Sequence, residues 1–188
     1  MKIQQLFLFL TISVGLLFIT GCDDDDDIIV NDEEVITTAT LTLTPAAGGT
    51  PAVFSFLDLD GDGGNAPVIT SADLVANTTY NASITLSNDS ETPAEDITAE
   101  VQEEDDEHQF FYAISSGLNL TVDYADEDGD GNPVGLLTTF TTGDASTGNF
   151  TVTLRHEPNK SGTGVSDGVI DNAGGETDIE VEFDVVIN

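Results

Sequence analysis

The stretch Ile179-Glu180-Val181-Glu182-Phe183-Asp184-Val185-Val186-Ile187 decides the fold. Apolar side chains at every second position alternate with acids, the pattern of a strand with one face buried and the other in water. The same alternation recurs in Ala39, Leu41 and Leu43, in Tyr80, Ala82, Ile84 and Leu86, and in Leu118, Leu120, Val122 and Tyr124. Further short strands are expected at 52–57, 67–70, 110–114, 136–141 and 149–156, separated by turns rich in Gly, Asn and Asp. Eight or nine short strands at this spacing predict an all-β fold, an antiparallel β-sandwich of immunoglobulin-like type. A single helix interrupts them. Thr92-Pro93-Ala94-Glu95 supplies an N-cap threonine, a first-turn proline and a third-position glutamate, which predicts a helix from Pro93 to about Glu107. Its acidic end, Glu103 to Glu107, opposes the helix dipole, and a nearby cation would relieve the conflict.

A degenerate repeat runs at an offset of 68 residues. Ala52, Phe54, Phe56, Asp58, Asp60 and Asp62 align with Leu120, Val122, Tyr124, Asp126, Asp128 and Asp130, and after one gap Ile84 and Leu86 align with Val152 and Leu154. The expectation is two similar β units packed in one sandwich.

Upstream of the strands the chain changes character. Lys2 precedes an apolar run from Leu6 to Ile19, too short to span a bilayer, which takes about 20 residues. The run ends in Ile19-Thr20-Gly21-Cys22 and reads as a secretory signal over 1–21. The ending resembles the lipobox of bacterial lipoproteins, which implies that Cys22 becomes an acylated N-terminus inserted in the membrane, held stably because two or three chains anchor where one does not. Asp23 to Asp27 and then Asn31, Asp32, Glu33 and Glu34 follow, so 22–34 reads as a lipidated acidic tether and 35–188 as a single sandwich domain. Acids directly behind a lipidated cysteine resemble the surface-export signal of Bacteroidota lipoproteins. That implies an outer-membrane protein facing the medium, with a periplasm-facing protein as the alternative.

Beyond residue 21 the chain sets 36 acids against Arg155 and Lys160, a formal charge of −34. Nucleic acid and anionic headgroups are poor partners for such a surface, and cations are natural ones. With Cys22 the only cysteine, stability has to come from an apolar core, helped by bound ions if any.

Two acidic loops carry the most specific chemistry after the lipobox. Asp58-Leu59-Asp60-Gly61-Asp62-Gly63 and Asp126-Glu127-Asp128-Gly129-Asp130-Gly131 both read D-x-D-x-D-G, the opening half of a calcium loop in which alternate carboxylates turn inward and glycine supplies the bend. The twelfth loop positions hold Ile69 and Leu137 rather than glutamate, so these are not EF-hands. They resemble the strand-flanked loops of extracellular calcium modules, with Asn65 and Asn132 placed to add oxygens. The competing reading is that Asp-Gly is simply a favoured turn. The histidines offer different chemistry. His108, one helical turn after Glu104, and His156, beside Arg155 and Glu157, could combine imidazole and carboxylate around zinc or copper. Against this, His108 suits a helix C-terminus, and His156 continues the inward row Phe150, Val152, Leu154 and could cap the core edge.

Gly164-Val165-Ser166-Asp167-Gly168 matches G-x-S-x-G, but the residues after it form another loop where a nucleophile elbow requires a helix. No enzyme is expected. The run of Cys22, Asp58 to Asn65, Glu107-His108-Gln109-Phe110-Phe111 and Leu154 to Lys160 is similar to a family of small acidic lipoproteins of marine Bacteroidota. Some members carry a type 1 periplasmic-binding label, and such folds alternate parallel strands with helices over a much longer chain than this. The expected role is a non-enzymatic outer-membrane lipoprotein with calcium-binding loops, serving cation, ligand or partner capture. The alternatives are an adhesive or structural surface protein, and zinc or copper capture beside an outer-membrane transporter.

Overall fold

Alternation along the strands builds two facing sheets. The computed structural model of the protein describes residues 34–61 and 64–188; the signal segment, Cys22, the tether up to residue 33 and Asp62 lie outside them. Ten strands are present: β1 (Thr38–Pro45), β2 (Ala52–Leu57), β3 (Val68–Thr70), β4 (Asp73–Leu74), β5 (Thr79–Ser87), β6 (His108–Ile114), β7 (Leu120–Tyr124), β8 (Leu137–Thr142), β9 (Ser146–His156) and β10 (Glu176–Ile187). They form a six-stranded sheet in the order β3-β2-β1-β5-β8-β7 and a four-stranded sheet in the order β4-β10-β9-β6. All pairings are antiparallel but one: the two-residue β4, unforeseen in the sequence, runs parallel to β10 through Val186↔Asp73 and Ile187↔Leu74. No helix among the described residues is long and apolar enough to cross a membrane.

The inward rows meet in one core. Leu41, Leu43, Phe54, Tyr80 and Phe140 from the larger sheet pack against Phe110, Phe150, Leu154 and Phe183 from the smaller, all nearly or fully buried. Phe150 sits at the centre, its ring 5.2 Å from Phe54, 5.7 Å from Phe140 and 5.5 Å from Phe183. Such edge and tilted contacts add to the area they bury.

The helix is shorter than its capping motif predicts. Helix α1 covers Ile97–Glu103, and Asp96 is its N-cap, accepting from the Ala99 amide. Thr92 and Pro93 fall in a turn instead, because Asn88 and Glu95 exchange backbone hydrogen bonds of 3.1 Å in each direction and hold Glu95 extended. A reciprocal bridge satisfies both main-chain groups at once, which a frayed first turn would not. Ile97 and Val101 then drop into the core.

The internal repeat extends to its hairpins and no further. β2–β3 and β7–β8 are both antiparallel hairpins carrying an acidic loop, at opposite ends of the larger sheet. Their third strands part company: β5 stays in that sheet and β9 lies in the other. The two copies are therefore not two packed units.

Truncating Phe150→Ala removes the ring that touches three other core aromatics and should cost about 3–5 kcal/mol. Urea unfolding followed by fluorescence or circular dichroism measures it, and a loss under about 1 kcal/mol would contradict this packing.

Candidate metal centre

At one end of the smaller sheet the inward rows stop being apolar. On β9 the row Phe150, Val152, Leu154 ends in His156, and on β6 the row begins with His108; the two are cross-strand partners in register. Their rings stack with centroids 4.6 Å apart and planes 21° from parallel. His108 is fully buried and His156 is 6% exposed.

Two carboxylates close over this pair. Glu34, just before β1, places Oε1 3.0 Å from His108 Nε2 and Oε2 3.8 Å from His156 Nδ1. Asp178 on β10 lies 3.9 Å from each of the same two nitrogens, with its side chain fully buried. It faces inward because β10 shifts register between Thr177 and Ile179. Without that bulge Asp178 would share the outward face of Glu180 and Glu182, and bulges re-aim side chains in this way. Gly175 permits the approach: its φ is +70°, and a Cβ there would collide with the His156 carbonyl oxygen.

Donor geometry fixes what the centre requires. The Glu104 carbonyl lies 3.1 Å from His108 Nδ1 and can only accept, so Nδ1 carries the proton. His108 Nε2 therefore faces the Glu34 carboxylate with either a lone pair or a second proton, and two acceptors meet badly unless something positive lies between them. A shared proton would draw nitrogen and oxygen to about 2.7–2.9 Å. His108 Nε2 and Glu34 Oε1, at 3.0 Å, are within hydrogen-bond reach, whereas the other three nitrogen–oxygen separations are 3.8 or 3.9 Å, close to the roughly 3.3–3.6 Å between neighbouring ligands of a tetrahedral ion with bonds of about 2.0–2.2 Å. Glu34 Oε2 and His156 Nδ1 are buried and make no hydrogen bond. One donor atom from each of the four residues falls within 4.8 Å of all the others.

The expected transition-metal set is thus half reassigned. His108 and His156 do come together, but Glu104 contributes its carbonyl as an orienting acceptor while its exposed side chain stays outside. A backbone acceptor on the far ring nitrogen is the usual way a metal-binding histidine is held in the right tautomer. Glu34 and Asp178 take the carboxylate places, one hidden in an acidic run and the other by a bulge. The break in alternation after the Gly174-Gly175 pair is the sequence signal for the bulge.

The acidic loops are built differently. In the first, Asp60 accepts from the Asn65 amide at 3.0 Å and from its side chain at 2.7 Å, while Asp58 accepts from Gly61 N at 3.0 Å. The Asn65 backbone and side-chain donors hold the Asp60 carboxyl below its ordinary pKa. In the second, both oxygens of Asp126 are taken by the amides of Gly135 and Leu137, at 2.7 and 2.8 Å. Asp128 Oδ1 accepts from the amides of Asp130 and Asn132, and Oδ2 meets the Lys160 ammonium at 3.0 Å. That ammonium also donates to the carbonyls of Asp105 and Pro133. The cation wanted beyond the acidic end of α1 is therefore Lys160. Donors thus engage one carboxylate oxygen each of Asp58 and Asp60, and both oxygens of Asp126 and Asp128. The G-x-S-x-G segment forms a short 3-10 turn at Val165–Asp167, with Ser166 exposed.

A cleft of about 630 Å³ lies between the Asp58–Gly61 loop and Asp178–Glu180, with Val35, Ile36 and Thr37 along it. It brings the first acidic loop beside Asp178 of this cluster. Comparisons with protein-family models, curated proteins and solved structures returned no match.

Replacing Lys160→Met would leave Asp128 buried without its cation, and breaking such a pair costs about 3–5 kcal/mol. Burial pushes the Asp128 carboxyl up, but the Asn132 and Asp130 amides and Lys160 outweigh it and leave it below the usual value. A depressed folded-state pKa gives stability that is present above the unfolded value and lost as pH falls through the folded one. The gap between the two proteins should therefore be full at pH 7 and narrow below about pH 4, read from unfolding curves across pH.

Proposed function

We propose that this protein is a non-enzymatic, lipid-anchored module that binds a divalent transition metal, zinc or copper, between Glu34, His108, His156 and Asp178. The observation that carries this reading is the His108 edge. Its Nδ1 proton is committed to the Glu104 carbonyl, and its Nε2 faces a buried carboxylate with His156 Nδ1 hydrogen-bonded to nothing beside it. Two imidazoles and two carboxylates are the donors that borderline-soft ions prefer, whereas calcium favours six to eight oxygens. The acidic surface would raise the local cation concentration, and the cleft beside Asp178 offers a short route inward. The lipobox at Cys22 and the acids behind it favour an outer-membrane protein on the cell surface, where capture beside a transporter is the natural use of such a site. A structural or adhesive role has its own support: four protein donors make the centre resemble closed structural sites more than open catalytic ones.

Thermal melts of the purified protein in chelator, calcium, zinc and copper test the site. An ion at a hundred times its Kd adds about 2.7 kcal/mol to the native state, a rise of roughly 5–10 °C for a domain of this size. Zinc or copper should produce it, calcium should not, and His156→Gln should remove it. A rise with calcium alone, or none with any ion, overturns the proposal. Separately, Cys22→Ser should move the protein from the membrane fraction to the soluble export fraction; retention in the membrane would refute the anchor.

A further inference from the structure

Glu34 differs from its three companions in where it comes from. His108 opens β6, His156 closes β9 and Asp178 belongs to β10, so all three are strand residues of the smaller sheet. Glu34 precedes β1 of the larger sheet and stands twelve positions after Cys22. Pairing with the larger sheet takes hold at Thr37, whose amide donates to Ser87 O and whose carbonyl accepts from Asp58 N. Upstream of it, Val35 is 60% exposed and Ile36 packs against the core only in part. The Glu34 carboxylate, its side chain 7% exposed, is what reaches across to the other sheet.

We infer that the bound ion is also a clasp: by joining Glu34 to His108, His156 and Asp178 it ties residues 34–36, which lead into the larger sheet, to the smaller sheet, so that metal loading determines whether residues 34–36 are held against the domain. This rests on the metal-binding reading above. Electrostatics gives the direction. Glu34 and Asp178 share the edges of the same two imidazoles, and two carboxylates so placed repel unless a cation lies between them. With the ion present, each carboxylate gains a direct bond. Without it, Glu34 is the ligand free to leave, because no strand pairing holds its backbone. Val35, Ile36 and Thr37 also line the cleft beside Asp178, so the same event fixes one wall of that cleft.

Hydrogen–deuterium exchange on the full chain, purified in detergent, tests this with zinc as the only probe. Zinc should slow exchange of the peptide covering residues 34–37 by about tenfold or more, with β8, which carries none of the four ligands, unchanged as internal control. Glu34→Gln should bind zinc more weakly in calorimetry, by about tenfold or more, and show no slowing over 34–37. If zinc binds the wild type and Glu34→Gln equally, or binds without slowing exchange at 34–37, the clasp is wrong while the site on the other three residues stands. If zinc does not bind the wild type at all, the metal-binding reading fails first and the clasp goes with it. Unchanged β8 exchange in Glu34→Gln shows that the variant is folded.

Discussion

Every carboxylate taken out of water in this chain needs a positive or hydrogen-bonding partner, and the chain has 36 acids against only three lysines and arginines. That imbalance organises the molecule more than any single apolar contact. On β10 alternation answers it, sending Glu180, Glu182 and Asp184 outward while Val181, Phe183 and Val185 go in. Among the described residues, three acids are not resolved that way. Asp128, Glu34 and Asp178 all turn their carboxylates inward, and each inward turn coincides with a place where positive charge is supplied or wanted.

The two solutions are chemically distinct. At Asp128 the chain supplies its own cation, a lysine whose stem is buried and whose ammonium is shared among one carboxylate and two carbonyls. That arrangement closes the second acidic loop and caps the end of α1 in one stroke. At Glu34 and Asp178 it supplies imidazoles, which can be neutral and can hold a metal by a lone pair. A lysine there would have neutralised charge permanently. Two histidines leave the matter to whatever cation arrives, which is why the same physical problem yields a fixed scaffold at one site and a candidate binding centre at the other.

Much of this was legible in the residues, and the misses have local causes. Period-two alternation located nine strands. It could not find β4, because two residues pairing parallel to a neighbouring strand leave no pattern to read. The capping motif at Thr92 pointed to a helix start that the Asn88–Glu95 bridge pre-empts, a non-helical contact that local propensity does not see. The meeting of the histidines was half visible, since His156 plainly continues an inward row. That His108 is its partner in register follows from the β6–β9 pairing, which depends on the whole topology. Asp178 lies just upstream of the alternating stretch, and parity extended back to it would place it outward, because one bulge inverts parity. Glu34 was read as tether because its neighbours are acidic, although its carboxylate packs against His108 inside the domain.

The difference between the acidic loops and the histidine centre also argues how selectivity would arise. A surface carrying this much negative charge attracts all cations alike, and its pull is screened beyond about 8 Å at physiological ionic strength. The loops that share the surface turn several of their oxygens toward amides and an ammonium, and they add to its field. Discrimination is then left to a buried set of two nitrogens and two oxygens, where a hard ion loses more water than these donors replace and a borderline ion does not. Attraction at long range and choice at short range are carried by different residues. The cleft where the Asp58–Gly61 loop meets Asp178 links the two.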